Sequence, residues 1–436
     1  MSTINLQEVF DASLDQSDIS AASRSLRNEA MVSFHETGFP SRKHESWRYT
    51  DLKPIVSGGF DLSPQPINSQ QEKKATQEIE KSILDSKALR LVFINGKLST
   101  NNTFPNEFNG LSISKKTESY KSIDVLQGKE LFKDYPLAAL NTAFSQHETL
   151  IMLDEGIQIT KPLHLIHINS GTEPRAIQPK IAIDIGTESE LTIVQHFIGS
   201  NPEPSWTNSV TLINQNKGSL LKLYRFQEYH HEQFHTELLK SRLSNNAELK
   251  LGYVDLGGKL VRNDVHIDLA EPGAACSIDG VFLAMNGQHI DNHTLIEHSA
   301  PSTTSQESFR GIIGEHGRGV FKGKVVVHRD AQGADAQQSS DNLLLSEHGE
   351  IDAKPELEIY TDDVKCSHGT TVGELDLEQL FYLCSRGVNK TTAKGLLTFA
   401  FANTILQRIE VPEVRKRAAS SIAGELPDYQ NWGGLL

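Results

Sequence analysis

From about residue 148 to 372 the chain is a succession of short alternating apolar runs with almost no helical period. No other feature constrains its fold as much. Leu163, Leu165 and His167 form one run, and Ile181, Ile183 and Ile185 another. Leu249–Leu251–Tyr253, Val265–Ile267–Leu269 and Val325–Val327 continue the pattern. Turn-forming clusters such as Asn169-Ser170-Gly171 and Glu271-Pro272-Gly273 separate the runs. The block is too long for one small sandwich. It leaves a large barrel, two sandwiches or a solenoid of stacked rungs. No strict repeat length is visible, so a solenoid would have to be irregular.

The flanks read differently. Ala22, Leu26, Ala30 and Phe34 recur at helical spacing, so Ile19 to His35 is expected to be a helix, stopped by Gly38 and Pro40. Residues 61 to 75 are rich in Pro, Ser, Gln and Asn and read as a loop, with a short helix over 76 to 87. Leu89 to Asn95 reads as a strand, and Leu137 to Phe144 as a helix with Pro136 near its start. Beyond Gly373 three helices are expected: Leu375 to Ser385, Thr391 to Ile409, and Val414 to Ile422 after Pro412. The second shows an apolar face of Leu396, Leu397, Phe401 and Leu406, for the sheet or for a partner. The expected boundaries are a mainly helical region at 1–146, a strand-rich core at 147–372 and a helical region at 373–436.

Charge narrows the function. Asp plus Glu is 56 against 42 for Lys plus Arg, a formal charge of −14. That argues against a general nucleic-acid binder, which needs a basic surface. Three cysteines, Cys276, Cys366 and Cys384, are too few and too odd for a disulfide framework. They fit a reducing compartment. The first residues lack the basic start and apolar run of a secretory signal. The apolar stretch Gly395 to Leu406 is shorter than the roughly 20 residues that span a bilayer. The expectation is a cytoplasmic, soluble chain that contacts neither membrane nor nucleic acid.

Two motifs invite enzymatic readings. His231-Glu232-Gln233-Phe234-His235 matches H-E-x-x-H, which on a helix presents two imidazoles and a glutamate to zinc. Its flanks, Leu221–Leu223 and Leu238–Leu239, belong to the strand-rich block, and no third ligand is signalled. Gly311, Gly314, Gly317, Gly319 and Gly323 do not have nucleotide-loop spacing, and Gly323-Lys324 is followed by Val325 rather than Ser or Thr. They read as turns between strands, so this chain is expected to bind no nucleotide.

The segment richest in chemistry is Asp362-Asp363-Val364-Lys365-Cys366-Ser367-His368-Gly369. In an extended chain residues i and i+2 share a face, which puts Cys366 and His368 side by side. A thiolate and an imidazole suit zinc, copper or iron–sulfur chemistry, but two ligands do not close a tetrahedral site. The pair is either a satisfied core pair, the plainer reading of the residues alone, or a half-site completed by another chain. A Cys–His nucleophile would lack an assignable orienting residue.

That segment, with Phe381-Tyr382-Leu383 and Ser385-Arg386-Gly387 after it, resembles the C-terminal signature of the SufB/SufD family of iron–sulfur cluster assembly proteins. Pro40-Ser41-Arg42-Lys43-His44-Glu45-Ser46-Trp47-Arg48-Tyr49-Thr50 resembles the N-terminal motif of the SufD type. Leu140-Asn141-Thr142-Ala143-Phe144, Gly156 and Lys161-Pro162-Leu163 fit as well, so the likeness spans residues 40 to 390. It is to SufD more than to SufB, since SufB chains carry more cysteines.

The resemblance implies a mostly β fold, a right-handed parallel β-helix core between N-terminal and C-terminal α-helical domains. It implies a non-catalytic scaffold subunit of the SufBCD complex, joined to SufB edge to edge, with residues 374 to 423 docking the ATPase SufC. His368 and Cys366 would be a metal half-site for iron or a transient iron–sulfur cluster shared with SufB. A reduced flavin is a candidate electron source in such a complex, and a homodimer is a candidate state of the isolated chain. The competing readings are a β-helix carbohydrate-active enzyme and a zinc peptidase using His231, Glu232 and His235.

Overall fold

The structure, a computed structural model, describes residues 6–15, 20–63, 67–82, 84, 89–99, 103, 109–115, 121–145, 148–171, 173–199 and 203–432. The alternating block folds as a parallel β-solenoid. Successive strands go to two sheets in turn. Glu190–Gly199, Leu220–Tyr229, Glu248–Gly257, Ala275–Ala284, Thr304–Ile313, Ala334–Leu344 and Val364–Gly373 stack in the first sheet. Ser205–Gln215, Phe234–Leu243, Leu260–Leu269, His289–His298, Arg318–Val327 and Glu350–Ile359 stack in the second. All these neighbours pair in parallel.

Alternation explains the core. Every second side chain points between the sheets, where Leu221, Leu251 and Ile278 meet Leu239, Val265 and Ile296. Corners turn on left-handed residues such as Asn246 (φ 54°) and Gly273 (φ 75°). A Cβ on Gly273 would lie 2.1 Å from Asn246 Oδ1, so that corner has room only for glycine. The repeat is irregular because rung length varies. Glu248 pairs with Ala275, 27 residues on, whereas Thr304 pairs with Asp335, 31 residues on.

The sheets reach back beyond the alternating block. Leu89–Ile94 pairs in parallel with Leu163–Ile168, and Leu111–Lys115 runs antiparallel to Glu148–Leu153. The first expected helix is Ala21–Thr37, capped by the Ser20 side chain on the Ser23 N–H; a helix Leu6–Asp15 precedes it. Pro136–Phe144 is helical with proline in its first turn. These helices cover the outer face of the second sheet, where Phe34, Phe60, Leu140 and Phe144 pack with Trp206, Phe234 and Leu238. In consequence Ser205–Gln215 is buried along its whole length, on both faces.

One flank departs from expectation. Residues 69–75, read as loop, belong to a helix Ser69–Ser82. Its Gln, Glu and Lys residues are good helix formers. The sparse apolar positions Ala75 and Ile79 pack against Val92, Ile166 and Ile198, which is enough to hold it on the first sheet.

The C-terminal helices are Leu377–Ser385, Lys390–Leu406 and Pro412–Glu425. Asp376 and Asn389 cap the first two through side-chain oxygens. The second and third lie on the outer face of the first sheet, with Phe399, Ile405, Leu406, Val414 and Ile422 against Phe226, Val254, Leu283 and Ile312. Much of the apolar face expected to serve the sheet or a partner is therefore turned to the chain's own sheet: Leu406 is buried, and Leu396 and Phe401 pack on the same cluster. No helix among the described residues is long and apolar enough to cross a membrane.

Candidate metal half-site on the terminal strand

Val364–Gly373 is the last strand of its sheet. It pairs with Ala334–Leu344 on one side, and its other edge carries no strand among the described residues. Cys366 lies in register with Ala336, and His368 with Gln338. Lys365 and Ser367 point to solvent, while Val364 and Cys366 are half-buried and pack on the solenoid core. His368 has the same parity but is exposed, because no further rung covers it. The expected shared face of Cys366 and His368 is thus present, at the open end of the molecule. It belongs to neither of two neat alternatives: Cys366 touches the core, and His368 does not.

Burial raises the Cys366 thiol above its ordinary range, with a backbone hydrogen bond at Ala336 opposing the shift and Asp335 adding to it. At neutral pH Cys366 is therefore a protonated thiol that has to lose its proton before it can ligate. Cys276 stands in the same inward column, separated from Cys366 by the strands carrying Ser305 and Ala336. Three strand spacings put it about 14 Å away, too far to share a metal. It is fully enclosed, and burial drives its thiol far up. Cys384 is half-buried on the helix Leu377–Ser385. Among the described residues no three His, Cys, Asp or Glu side chains converge as a metal site.

Two residues beside the half-site escaped the sequence reading. Gln338, next to His368 in register, is buried and donates from Nε2 to Glu307 Oε2 at 2.6 Å. Gln338 Oε1 and Glu307 Oε1 have no hydrogen-bond partner. An acceptor held beside a histidine is the usual means of fixing the tautomer of a ligating imidazole. The only trace of this in the sequence is two polar residues at inward parity, and parity cannot be assigned until register is known.

The zinc-peptidase pattern comes apart. His231 is an exposed turn residue whose ring lies 3.9 Å from that of His230, tilted by 35°, whereas His235 is fully buried in the strand Phe234–Leu243. Burial first, then Arg225, lowers the His235 imidazole to about 4, with Glu237 opposing. The helix that the motif requires is a strand. Of the glycines read as turns between strands, only Gly314 and Gly317 lie in a turn; Gly311, Gly319 and Gly323 lie on the strands Thr304–Ile313 and Arg318–Val327, where a Cβ would meet the side chains of neighbouring rungs.

The surface of this end is unusually apolar. Ile359, Tyr360 and Val372 are exposed on or beside the two terminal strands, and Tyr382 on the following helix. Leu377 and Phe381 on that helix are 75% and 74% exposed. Clusters of this kind mark interaction surfaces.

Comparison with known proteins agrees with this architecture. Residues 166–401 match the model of the SUF system FeS cluster assembly SufBD core domain, and residues 4–165 that of the SufBD protein N-terminal region. The chain is 30% identical over 397 residues to the iron–sulfur cluster assembly protein SufD of Escherichia coli strain K12, covering 90% of each chain. It is 27% identical to the chloroplastic protein ABCI7 of Arabidopsis thaliana, covering 97% of this chain and 90% of that one. With the iron–sulfur cluster assembly protein SufB of Bacillus subtilis it shares 26% identity over 62% of this chain and 58% of the other. Two domain models spanning the solenoid and its N-terminal flank, and a SufD relative aligned along nine-tenths of its length, lead to one conclusion: the chain belongs to the SufBD family of iron–sulfur cluster assembly proteins and is SufD-like.

Proposed function

We propose that this chain is a non-catalytic scaffold subunit, working in a reducing compartment such as the cytoplasm. It pairs edge to edge with a SufB-type chain, docks the ATPase SufC, and lends His368 and Cys366 to a nascent cluster site at the pairing interface. The observation that carries this reading is the placement of the two donors. They sit together on a sheet edge that carries no further strand among the described residues, and among those residues no third metal-ligating side chain converges on them, which supports completion of the site by another chain. An unpaired parallel edge also favours a strand partner. Iron and sulfide are the cargo.

His368 ranks above Cys366 as a ligand, because it is exposed while the Cys366 thiol is half-buried and holds its proton. The exposed Leu377, Phe381 and Tyr382 make the helix Leu377–Ser385 the docking face for SufC within residues 374 to 423. ATP-driven approach of paired SufC subunits would move the C-terminal helices and open the interface to iron and sulfur. A reduced flavin remains the candidate electron source.

The test is co-expression with SufB and SufC, anaerobic purification, and measurement of iron and acid-labile sulfide per intact complex. His368→Ala is expected to leave the complex intact and lower its loading severalfold. Cys366→Ala is expected to cause a smaller loss. Normal loading of an intact His368→Ala complex would refute the ligand role, and a larger defect in Cys366→Ala would reverse the ranking.

A further inference from the structure

The N-terminal segment Pro40–Thr50 has no part in the half-site, yet it is tied firmly to the outer face of the second sheet. Arg262 stacks over the Trp47 ring at 3.8 Å and donates to the Ser46 carbonyl at 2.8 Å. Asp264 and Asp291 neutralise that guanidinium. Thr50 bonds both Asp291 and His289. Ser46 and Trp47 of this segment line a cleft of about 310 Å³ together with Tyr135, Pro136, His266, Leu295 and Lys322. Its lining is largely apolar, and its volume is at the small end of ligand sites.

Charge at the cleft is arranged unusually. Lys322 and Lys354 are register neighbours on adjacent strands, so two ammonium groups lie side by side. Glu45 Oε1 lies 3.6 Å from Nζ of each. That is ion-pair distance without a hydrogen bond. The Lys322 side chain is only 13% exposed, whereas that of Glu45 is 76% exposed. Lys354 has a second partner in Glu356; among the described residues Lys322 has ion-pair contact only with Glu45. A loosely held surface carboxylate thus occupies the point where two cations converge, beside an apolar cavity lined by aromatic side chains.

We propose that this cleft binds a compact aromatic anion, a phosphate monoester or a carboxylate. The charged group of the ligand displaces Glu45 from between Lys322 and Lys354, and its ring enters the cavity beside Trp47 and Tyr135. Glu45 is then a competitor built into the chain. The largely buried Lys322, with the half-exposed Lys354 beside it, pairs better with an anion seated in the cleft than with a rim carboxylate that is exposed in either state.

Isothermal titration of the full chain at low salt tests this, with phenyl phosphate and benzoate as probes and inorganic phosphate as the control lacking a ring. At least one aromatic probe should bind saturably and more tightly than inorganic phosphate. Removing the competitor by Glu45→Gln should tighten it severalfold, and Lys322→Met with Lys354→Met should weaken it by about tenfold or more. Should the double variant lose its circular dichroism, Lys354→Met alone, at a half-exposed position, has to weaken binding. Absence of saturable binding in both the wild type and Glu45→Gln would overturn the proposal. So would indifference to the lysines, weaker binding in Glu45→Gln, or equal affinity for inorganic phosphate. None of these outcomes bears on cluster loading at His368.

Discussion

Glu307 is sealed inside the solenoid, and burial pushes its carboxyl up to about 7, against the hydrogen bond from Gln338. The ordinary value of the group is 4.5. Between these two values the folded chain holds a proton that the unfolded chain has released, so stability falls as pH rises through that window. The penalty is absent below the unfolded value and complete above the folded one. Glu307→Gln keeps an acceptor for Gln338 Nε2 and removes the titration. Relative to wild type, the variant should gain on the order of 3 kcal/mol between about pH 4 and pH 8. Denaturant unfolding at the two pH values checks this, and a difference that does not change with pH would mean the carboxyl is not enclosed as described. The same residues mark a limit of sequence reading. The shared face of Cys366 and His368 follows from alternation within one strand. The neighbours Gln338 and Glu307 depend on register between strands about 30 residues apart, which rungs of unequal length conceal.

At the scale of elements, the C-terminal helices were legible because their signals are local: apolar residues at helical spacing, such as Leu396, Leu397 and Phe401, and Pro412 in a first turn. What each face meets was not legible, since an apolar helix face suits a sheet and a partner equally. The second helix is held tightly at Gly395. A Cβ there would fall 2.6 Å from the Trp432 ring and 2.8 Å from the Pro427 carbonyl. Gly395→Ala should therefore cost about 1–3 kcal/mol by pushing the terminal segment off the helix. At Gly424, near the end of the third helix, a Cβ would meet nothing within 4 Å. Gly424→Ala should be neutral or stabilise by up to about 1 kcal/mol through helix propensity alone. Thermal melts of the two variants should move in opposite directions, or at least unequally. Equal destabilisation would contradict the packing at Gly395.

At the scale of the whole molecule, the alternating runs left a barrel, paired sandwiches and a solenoid open, and the resemblance to the SufB/SufD family chose among them. Strands covered on both faces, such as Ser205–Gln215, bury Asn208, Ser209 and Thr211, so polarity there does not mark the outside. A solenoid differs from a barrel in having ends. Here the terminal strands Glu350–Ile359 and Val364–Gly373 are largely uncovered, and exposed Ile359, Tyr360 and Val372 gather on or beside them. Unpaired backbone groups beside apolar side chains favour pairing with a second chain, so the isolated protein is expected to self-associate through this edge. Val372 is 51% exposed, and Val372→Lys would place a charge on the edge without disturbing the core. In sedimentation velocity over a range of concentrations, the wild type should shift towards a dimer and Val372→Lys should remain a monomer. Phe381→Asp, on the helix proposed to dock SufC, should leave that dimer unchanged. A dimer that survives Val372→Lys and dissociates in Phe381→Asp would move the pairing surface from the strand edge to the helix, and with it the place where a SufB-type partner should be sought.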